Sequence, residues 1–400
     1  MTEPNDTPKP AIETALIHHA YKPPAGFDAP QPGVFKASTV IFANTAAMRA
    51  RDWKNKAGYT YGLHGTPTTF TLEERIATLE GGTHSVLVPS GLAAIALTDL
   101  ALLKSGDELL IPDNAYGPGK ELARQELARF GITHRFYDPM DANALAAMVT
   151  KSTRLVWLEA PGSVTMEFPD LPNLVRAARS QGALVALDNT WGAGIAFNAF
   201  ELGVDVSAHA LTKYPSGGGD VLMGSVTTRD AALHLALNVG HMRMGWGVAA
   251  NDAETVLRAL ASLPLRYAAH DRAARTLAAW WALRPEVVQV LHPALPGSPG
   301  HAHWAALCTQ AAGLFSVVFD ARYGTAQVDA FVDALKLFKI GFSWAGPVSL
   351  VVPYELKAMR AKPAWPGTLV RFSLGLEAVS DLIADSEQAL RALGSGPALA

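Results

Sequence analysis

Ser90, Asp188 and Lys213 each stand where a short apolar run breaks off. Ser90-Gly91-Leu92 follows Ser85-Val86-Leu87-Val88 and opens an apolar stretch reaching about Leu103. A helix starting there offers unpaired backbone N–H groups and the positive end of its dipole, which suit a phosphate. Gly91 lets an anion come close. The same residues also read as an ordinary serine N-cap. Asp188 ends the run Ala183-Leu184-Val185-Ala186-Leu187. A carboxylate there is partly buried and needs a cation, either the protonated nitrogen of a pyridine ring or an arginine. Lys213 comes about 25 residues later, before Ser216-Gly217-Gly218-Gly219. A lysine at a strand end beside a pocket can lose its proton and attack an aldehyde; away from one it is a surface lysine. In this order, a phosphate turn, a carboxylate and an amine on successive strand ends meet the needs of pyridoxal phosphate. The turn grips the phosphate, Asp188 keeps the ring nitrogen protonated, and Lys213 forms the Schiff base.

Those roles require elements that bring strand ends together. Apolar runs at Ser85–Val88, Leu109–Ile111, His134–Tyr137, Leu155–Leu158 and Leu184–Leu187 read as strands. Between them, Thr71–Leu79, Leu92–Leu103, Gly119–Phe130, 141–149 and 171–181 read as helices. Wholly apolar strands alternating with helices predict an α/β fold with a mainly parallel sheet covered on both faces. Ligands in such sheets sit at the carboxyl ends of the strands. A long helical stretch at 249–283 is interrupted by Pro264. Beyond it, strands at Leu314–Phe319 and Leu369–Leu374 and helices at Val328–Lys336 and Ser380–Leu393 predict a smaller α+β domain. The division expected is an N-terminal arm at 1–58, a cofactor-binding domain at 59–264 and a C-terminal domain at 265–400. Pro23-Pro24 and Pro30-Gln31-Pro32-Gly33 punctuate the arm as turns or extended chain.

Composition narrows the partners. Of 400 residues, 49% are hydrophobic and 17% charged, enough for a large core and against wholesale disorder. A formal net charge of −3 gives no reason to expect nucleic acid or an anionic membrane as partner. The single cysteine, Cys308, forms no internal disulfide, and the start of the chain lacks a signal-peptide pattern. A cytoplasmic protein with no membrane span is expected. No metal site is expected either, and His301 and His303 read as part of a Pro/Gly-rich loop.

The ordered motifs carry a resemblance. Tyr59-Thr60-Tyr61-Gly62, Leu79-Glu80-Gly81-Gly82, Asn114-Ala115-Tyr116, Leu158-Glu159-Ala160-Pro161-Gly162-Ser163, Asp188-Asn189-Thr190-Trp191, Thr212-Lys213-Tyr214 and Arg371 with Gly375-Leu376-Glu377 run through it. From about Thr14 to Leu393 the chain resembles the Cys/Met-metabolism family of pyridoxal-phosphate-dependent enzymes, of the aspartate-aminotransferase fold type. The resemblance implies that Tyr116 stacks on the cofactor ring and takes part in catalysis. It implies that Thr212 adds a hydroxyl to the phosphate site of Ser90, Gly91 and Leu92. Tyr61 would reach the phosphate of a neighbouring subunit, in a homotetramer made of catalytic dimers. Arg371 would fork onto the carboxylate of a sulfur amino acid. Ser343, Trp344 and Phe342 would line the substrate side.

Family membership leaves the reaction open between β-lyases, γ-lyases and γ-synthases. The loop Pro161-Gly162-Ser163-Val164-Thr165-Met166-Glu167 looks like the β-lyase version, where γ-acting members more usually show Asn-Pro. Phe342 stands where many γ-acting members carry a glutamate. The function so implied is a carbon–sulfur lyase of methionine biosynthesis, cleaving L-cystathionine to homocysteine, pyruvate and ammonia. Other S-substituted cysteines remain open as substrates. A γ-acting relative, a non-catalytic cofactor-binding regulator and an aminotransferase are the rival readings. Two departures stand out: Leu63, followed by His64, replaces the family's phosphate-binding arginine, and Pro347-Val348 replaces a more usual pair in the substrate loop.

Overall fold

In the computed structural model, residues 10–18, 25–26, 29–54, 56, 58–360 and 365–394 are described. The Pro23-Pro24 turn lies outside them.

The large sheet has seven strands: β1 His84–Val88, β2 Glu108–Pro112, β3 Thr133–Tyr137, β4 Thr153–Glu159, β5 Leu184–Asp188, β6 Val206–His209 and β7 Gly224–Thr228. Their order is β1-β7-β6-β5-β4-β2-β3. β7 runs antiparallel to both neighbours and every other pairing is parallel. The central strands bury both faces, which explains their unbroken apolar runs. β7 is the exception to the periodicity reading. Gly-Ser-Val-Thr-Thr contains one large apolar residue, so hydrophobicity does not mark it although all five residues are buried.

Two helices frame the strand ends. Thr66 caps Pro67–Glu80 in a capping box with Thr69, Pro67 supplies the preset first turn, and Gly81 closes it in the left-handed conformation. Helix Gly91–Leu102 is apolar nearly all round and lies buried in the core. The described part of the arm is tied to the first of these helices. Phe35 N–H donates to the Thr68 hydroxyl (2.8 Å), which donates to Gly33 O (3.0 Å).

Helix Leu263–Trp281 follows. The stretch is interrupted as expected, between helix Ala250–Leu260 and this one, and Pro264 sits in the first turn of the second helix, where a missing N–H costs nothing. Its start packs into the first core through Leu263 and Tyr267, and its end packs into the second through Ala274, Leu277 and Trp281. The second core lies against a sheet of β8 Val287–Leu291, β9 Leu314–Phe319, β10 Lys339–Ile340, β11 Leu350–Tyr354 and β12 Leu369–Ser373, ordered β10-β11-β12-β9-β8. β10 is parallel to β11 and the rest is antiparallel. His301 and His303 open helix His301–Leu307 instead of lying in a loop, and His301 stacks on Trp304. Among the described residues no helix is long and apolar enough to cross a membrane.

Candidate active site

A cavity of about 670 Å³ opens between the carboxyl ends of the large sheet and the antiparallel sheet. Ser90, Gly91, Leu92, Tyr116, Asp188, Thr212 and Lys213 line it from the first side, and Phe342, Ser343, Trp344 and Arg371 from the second. Of the residues singled out in the sequence, the single chain leaves out Tyr61. It is exposed and packs edge-on against His64 at 5.9 Å. Leu63 and His64 likewise lie outside the lining; His64 bonds Thr60 at 2.7 Å and stacks on Trp53.

The phosphate turn is built as a helix start. Ser90 Oγ accepts from Ala93 N–H at 3.0 Å, which leaves Gly91 and Leu92 N–H without intrahelical partners. Glycine is required at 91 by packing. A Cβ there would stand 2.5 Å from the Ala210 methyl, so any side chain would push the helix off the end of β6. The Thr212 hydroxyl donates to Met223 O (3.2 Å) and accepts from Met223 N–H (3.1 Å), which pins the segment carrying Lys213 to the chain before β7.

Asp188 is the last residue of β5. Its Oδ1 accepts from Thr190 N–H at 3.0 Å, and the Thr190 hydroxyl accepts from Ala210 N–H at 3.0 Å. Burial pushes its carboxyl above the ordinary range, opposed by the bonds from Thr190 and by His209. It has no ion-pair partner among the described residues.

Lys213 Nζ donates to Ser343 Oγ at 2.7 Å and lies 5.6 Å from the centre of the Trp344 ring. Burial lowers its pKa to about 8, helped by the charge of Arg371 and opposed by Asp188. Ser343 and Ala345 both have left-handed backbones, with φ of 92° and 66°, a conformation that non-glycine residues hold only when the surroundings enforce it.

Arg371, on β12, is 8% exposed and its Nε has no hydrogen-bond partner. Its guanidinium sits 5.4 Å from the Tyr354 ring centre. Tyr354, at the end of β11, lines the cavity and went unnoticed in the sequence, because a tyrosine after Val-Val-Pro carries no chemical signal. Glu159 also lines it, as the last residue of β4. The strand-end rule that picked out Asp188 applies equally to Glu159 and would have found it.

A charge cluster holds the remaining wall. Arg360 donates to Asp113 at 2.8 Å and pairs with Glu167, while Asn114 Nδ2 donates to Glu167 Oε2 at 2.7 Å. Ser163 N–H donates to Asn114 O at 2.9 Å, so loop 161–167 is fastened beside Tyr116.

These residues fit pyridoxal phosphate. A helix start faces the cavity for the phosphate, an unpaired carboxylate waits for a ring nitrogen, and a low-pKa amine stands within reach of an aldehyde. The buried orphan Nε of Arg371 calls for a carboxylate. Fold and site together define a pyridoxal-phosphate-dependent enzyme of the aspartate-aminotransferase fold type.

The chain belongs to the Cys/Met metabolism PLP-dependent enzymes, whose family model matches residues 13–391. It is 40% identical over 396 residues to a cystathionine β-lyase of Bordetella avium, covering 96% of this chain and 99% of that one. A cystathionine β-lyase of Salmonella typhimurium is 37% identical over 359 residues, covering 88% and 90%. Among solved structures, cystathionine γ-synthase from Xanthomonas oryzae superimposes with a TM-score of 0.89 at 30% identity, covering 97% of this chain and 100% of that one.

Proposed function

We propose that this chain is a carbon–sulfur β-lyase that cleaves L-cystathionine to homocysteine, pyruvate and ammonia, in methionine biosynthesis. The observation that carries the reading is the charge inventory of the cavity. The lining holds one low-pKa amine, one unpaired guanidinium, and carboxylates only at the strand ends, Asp188 and Glu159. Among the described lining residues no acid stands near Phe342, and the relatives at 40% and 37% identity are cystathionine β-lyases, which supports β-elimination over γ-elimination.

Bound pyridoxal phosphate supplies an aldehyde carbon for the substrate amine and a ring that accepts the electrons left at Cα. The protein groups do the rest. Arg371 forks onto the α-carboxylate and fixes the Cα–H bond relative to Lys213. The Lys213 amine, oriented by the Ser343 hydroxyl, takes the α-proton. The Cβ–S bond then breaks with its electron pair going to sulfur, and the proton held on Lys213 Nζ returns to the departing thiolate. Addition of water to the remaining three-carbon fragment releases ammonia and pyruvate.

Incubation with L-cystathionine, scoring both keto acids, tests the assignment. Pyruvate is expected; 2-oxobutyrate as the main product would make the chain a γ-acting relative. The reading includes a cytoplasmic location and a homotetramer of catalytic dimers, in which Tyr61 serves a neighbouring subunit. Its exposure and its absence from the cavity of its own chain support that role. Sedimentation of the holoenzyme at four times 42.4 kDa is the expected result.

A further inference from the structure

Glu159 and Asp188 end adjacent parallel strands in direct register. Residues so paired point to the same face of a sheet, and neighbouring strands lie about 4.8 Å apart. Both carboxyls line the main cavity, and both also line a second one of about 20 Å³ behind Tyr116. Asp99, Tyr116 and Lys120 are the other ionisable groups around that space. Two carboxyls on neighbouring strand ends, both partly buried, each disfavour a negative charge on the other. Lys120 Nζ donates to the Asp113 carbonyl at 2.8 Å and keeps its charge, which acts on Glu159 against the neutral form without outweighing burial.

The two acids differ in what they receive. Asp188 is served by Thr190 and lies within the field of His209. Glu159 receives one backbone donor, the N–H of Tyr116, at 2.8 Å on Oε2. Burial drives its carboxyl well above the ordinary range and the Asp188 charge drives it further, against the Tyr116 N–H and Lys120.

We infer that Glu159 is a positioning residue that works as a neutral acid: it seats Tyr116 through its backbone N–H and leaves Asp188 as the single negative charge at the strand ends that line the cofactor cavity. An uncharged carboxyl still accepts from an N–H, so seating requires no charge. A second negative charge in register with Asp188 would repel it and favour proton uptake by one of the two acids; a neutral Glu159 leaves Asp188 ionised. The inference rests on the cofactor site and not on the choice of substrate, so cofactor binding is the readout.

The test compares Glu159→Gln with Glu159→Leu as holoenzymes. Glutamine keeps the acceptor and the neutrality; leucine keeps only the neutrality. The dissociation constant of pyridoxal phosphate and the visible circular dichroism of the bound cofactor are measured for each. Glu159→Gln is expected within about twofold of the parent with an unchanged dichroic band. Glu159→Leu is expected to bind about tenfold more weakly, the cost of one lost hydrogen bond, with an altered band. Equal damage in both variants would mean that the charge is needed, and no damage in either would mean that Tyr116 is not seated this way. Infrared difference spectra of the parent against Glu159→Gln at neutral pH decide the matter even if the leucine variant misfolds. A protonated-carboxyl stretch present only in the parent is expected, and its absence overturns the inference.

Discussion

Asp188 and Arg371 face one cavity from different sheets, and the protein serves them differently. On the large-sheet side the side chains that shape the cofactor site are held by local partners, Ser90 Oγ by Ala93, Asp188 by Thr190, Thr212 by Met223 and Glu159 by Tyr116, while the Gly91 and Leu92 N–H groups and the Asp188 charge stay open for the cofactor. On the antiparallel side Arg371 is buried with an orphan Nε, and among the described residues the Ser343 hydroxyl bonds only the lysine that must move. A wall that stays with its cofactor through every turnover gains from being finished in advance. A wall that meets a new substrate each time keeps its strongest donor unspent, so that binding completes it. The energy lost by leaving Arg371 unpaired returns when a carboxylate arrives.

The contrast is broken most directly at Lys213, which lies between the two walls. Lys213→Ala should lose roughly 10³-fold or more in pyruvate formation from L-cystathionine, with loss of the absorbance of the lysine-bound cofactor. Ordinary turnover in that variant would remove Lys213 from the mechanism.

Next in size is an effect on stability. In protein stripped of cofactor, Lys213→Met should be more stable than the parent near neutral pH. The folded pKa of about 8 lies below the ordinary 10.5, so the unfolded chain binds the lysine proton more tightly than the folded one. The parent therefore carries the full penalty below pH 8, at most about 3 kcal/mol, and loses it as pH rises from 8 to 10.5. Denaturant melts of both proteins across that window should converge at the alkaline end. A constant gap would show that the amine is not strained by burial.

Arg371→Leu sharpens the comparison from the other wall. The KM for substrate should rise by roughly 10- to 100-fold through loss of charge-assisted bonds, while the unliganded protein loses no stability, because the arginine had no charged partner to lose. Destabilisation without a KM effect would make Arg371 a structural residue. The smallest effect belongs to Phe342→Glu. At 77% exposure its charge is screened, so the KM for L-cystathionine should move by no more than about threefold, and less in high salt.

The strand-end rule explains which parts of this site were legible. Ser90, Asp188 and Lys213 follow apolar runs in a mainly parallel sheet, where run and polar stop form a readable pair, and the structure brings all three to one cavity. Arg371 belongs to Leu-Val-Arg-Phe-Ser in an antiparallel sheet, where an arginine reads equally as a surface residue. The family motif identified it; the strand pattern did not. Tyr354 carried no signal of either kind. β7 was also hidden, because four small or polar residues around one valine do not announce a strand. The main boundaries in the first half were legible to within a few residues, since there each element has its own hydrophobic period. The interruption at Pro264 was legible too: the helical stretch divides into Ala250–Leu260 and Leu263–Trp281, with the proline in the first turn of the second helix.

The left-handed backbone at Ser343 and Ala345 has a consequence for how substrate choice can change. β-Branched and bulky side chains are penalised at both positions, leaving glycine, asparagine and a few small residues as cheap replacements. Phe342, between them and solvent, is bound by no such restriction. Variants selected for a new thioether should therefore accumulate changes at 342 and spare 343 and 345, so that the geometry meeting Lys213 persists while the entrance diversifies around it.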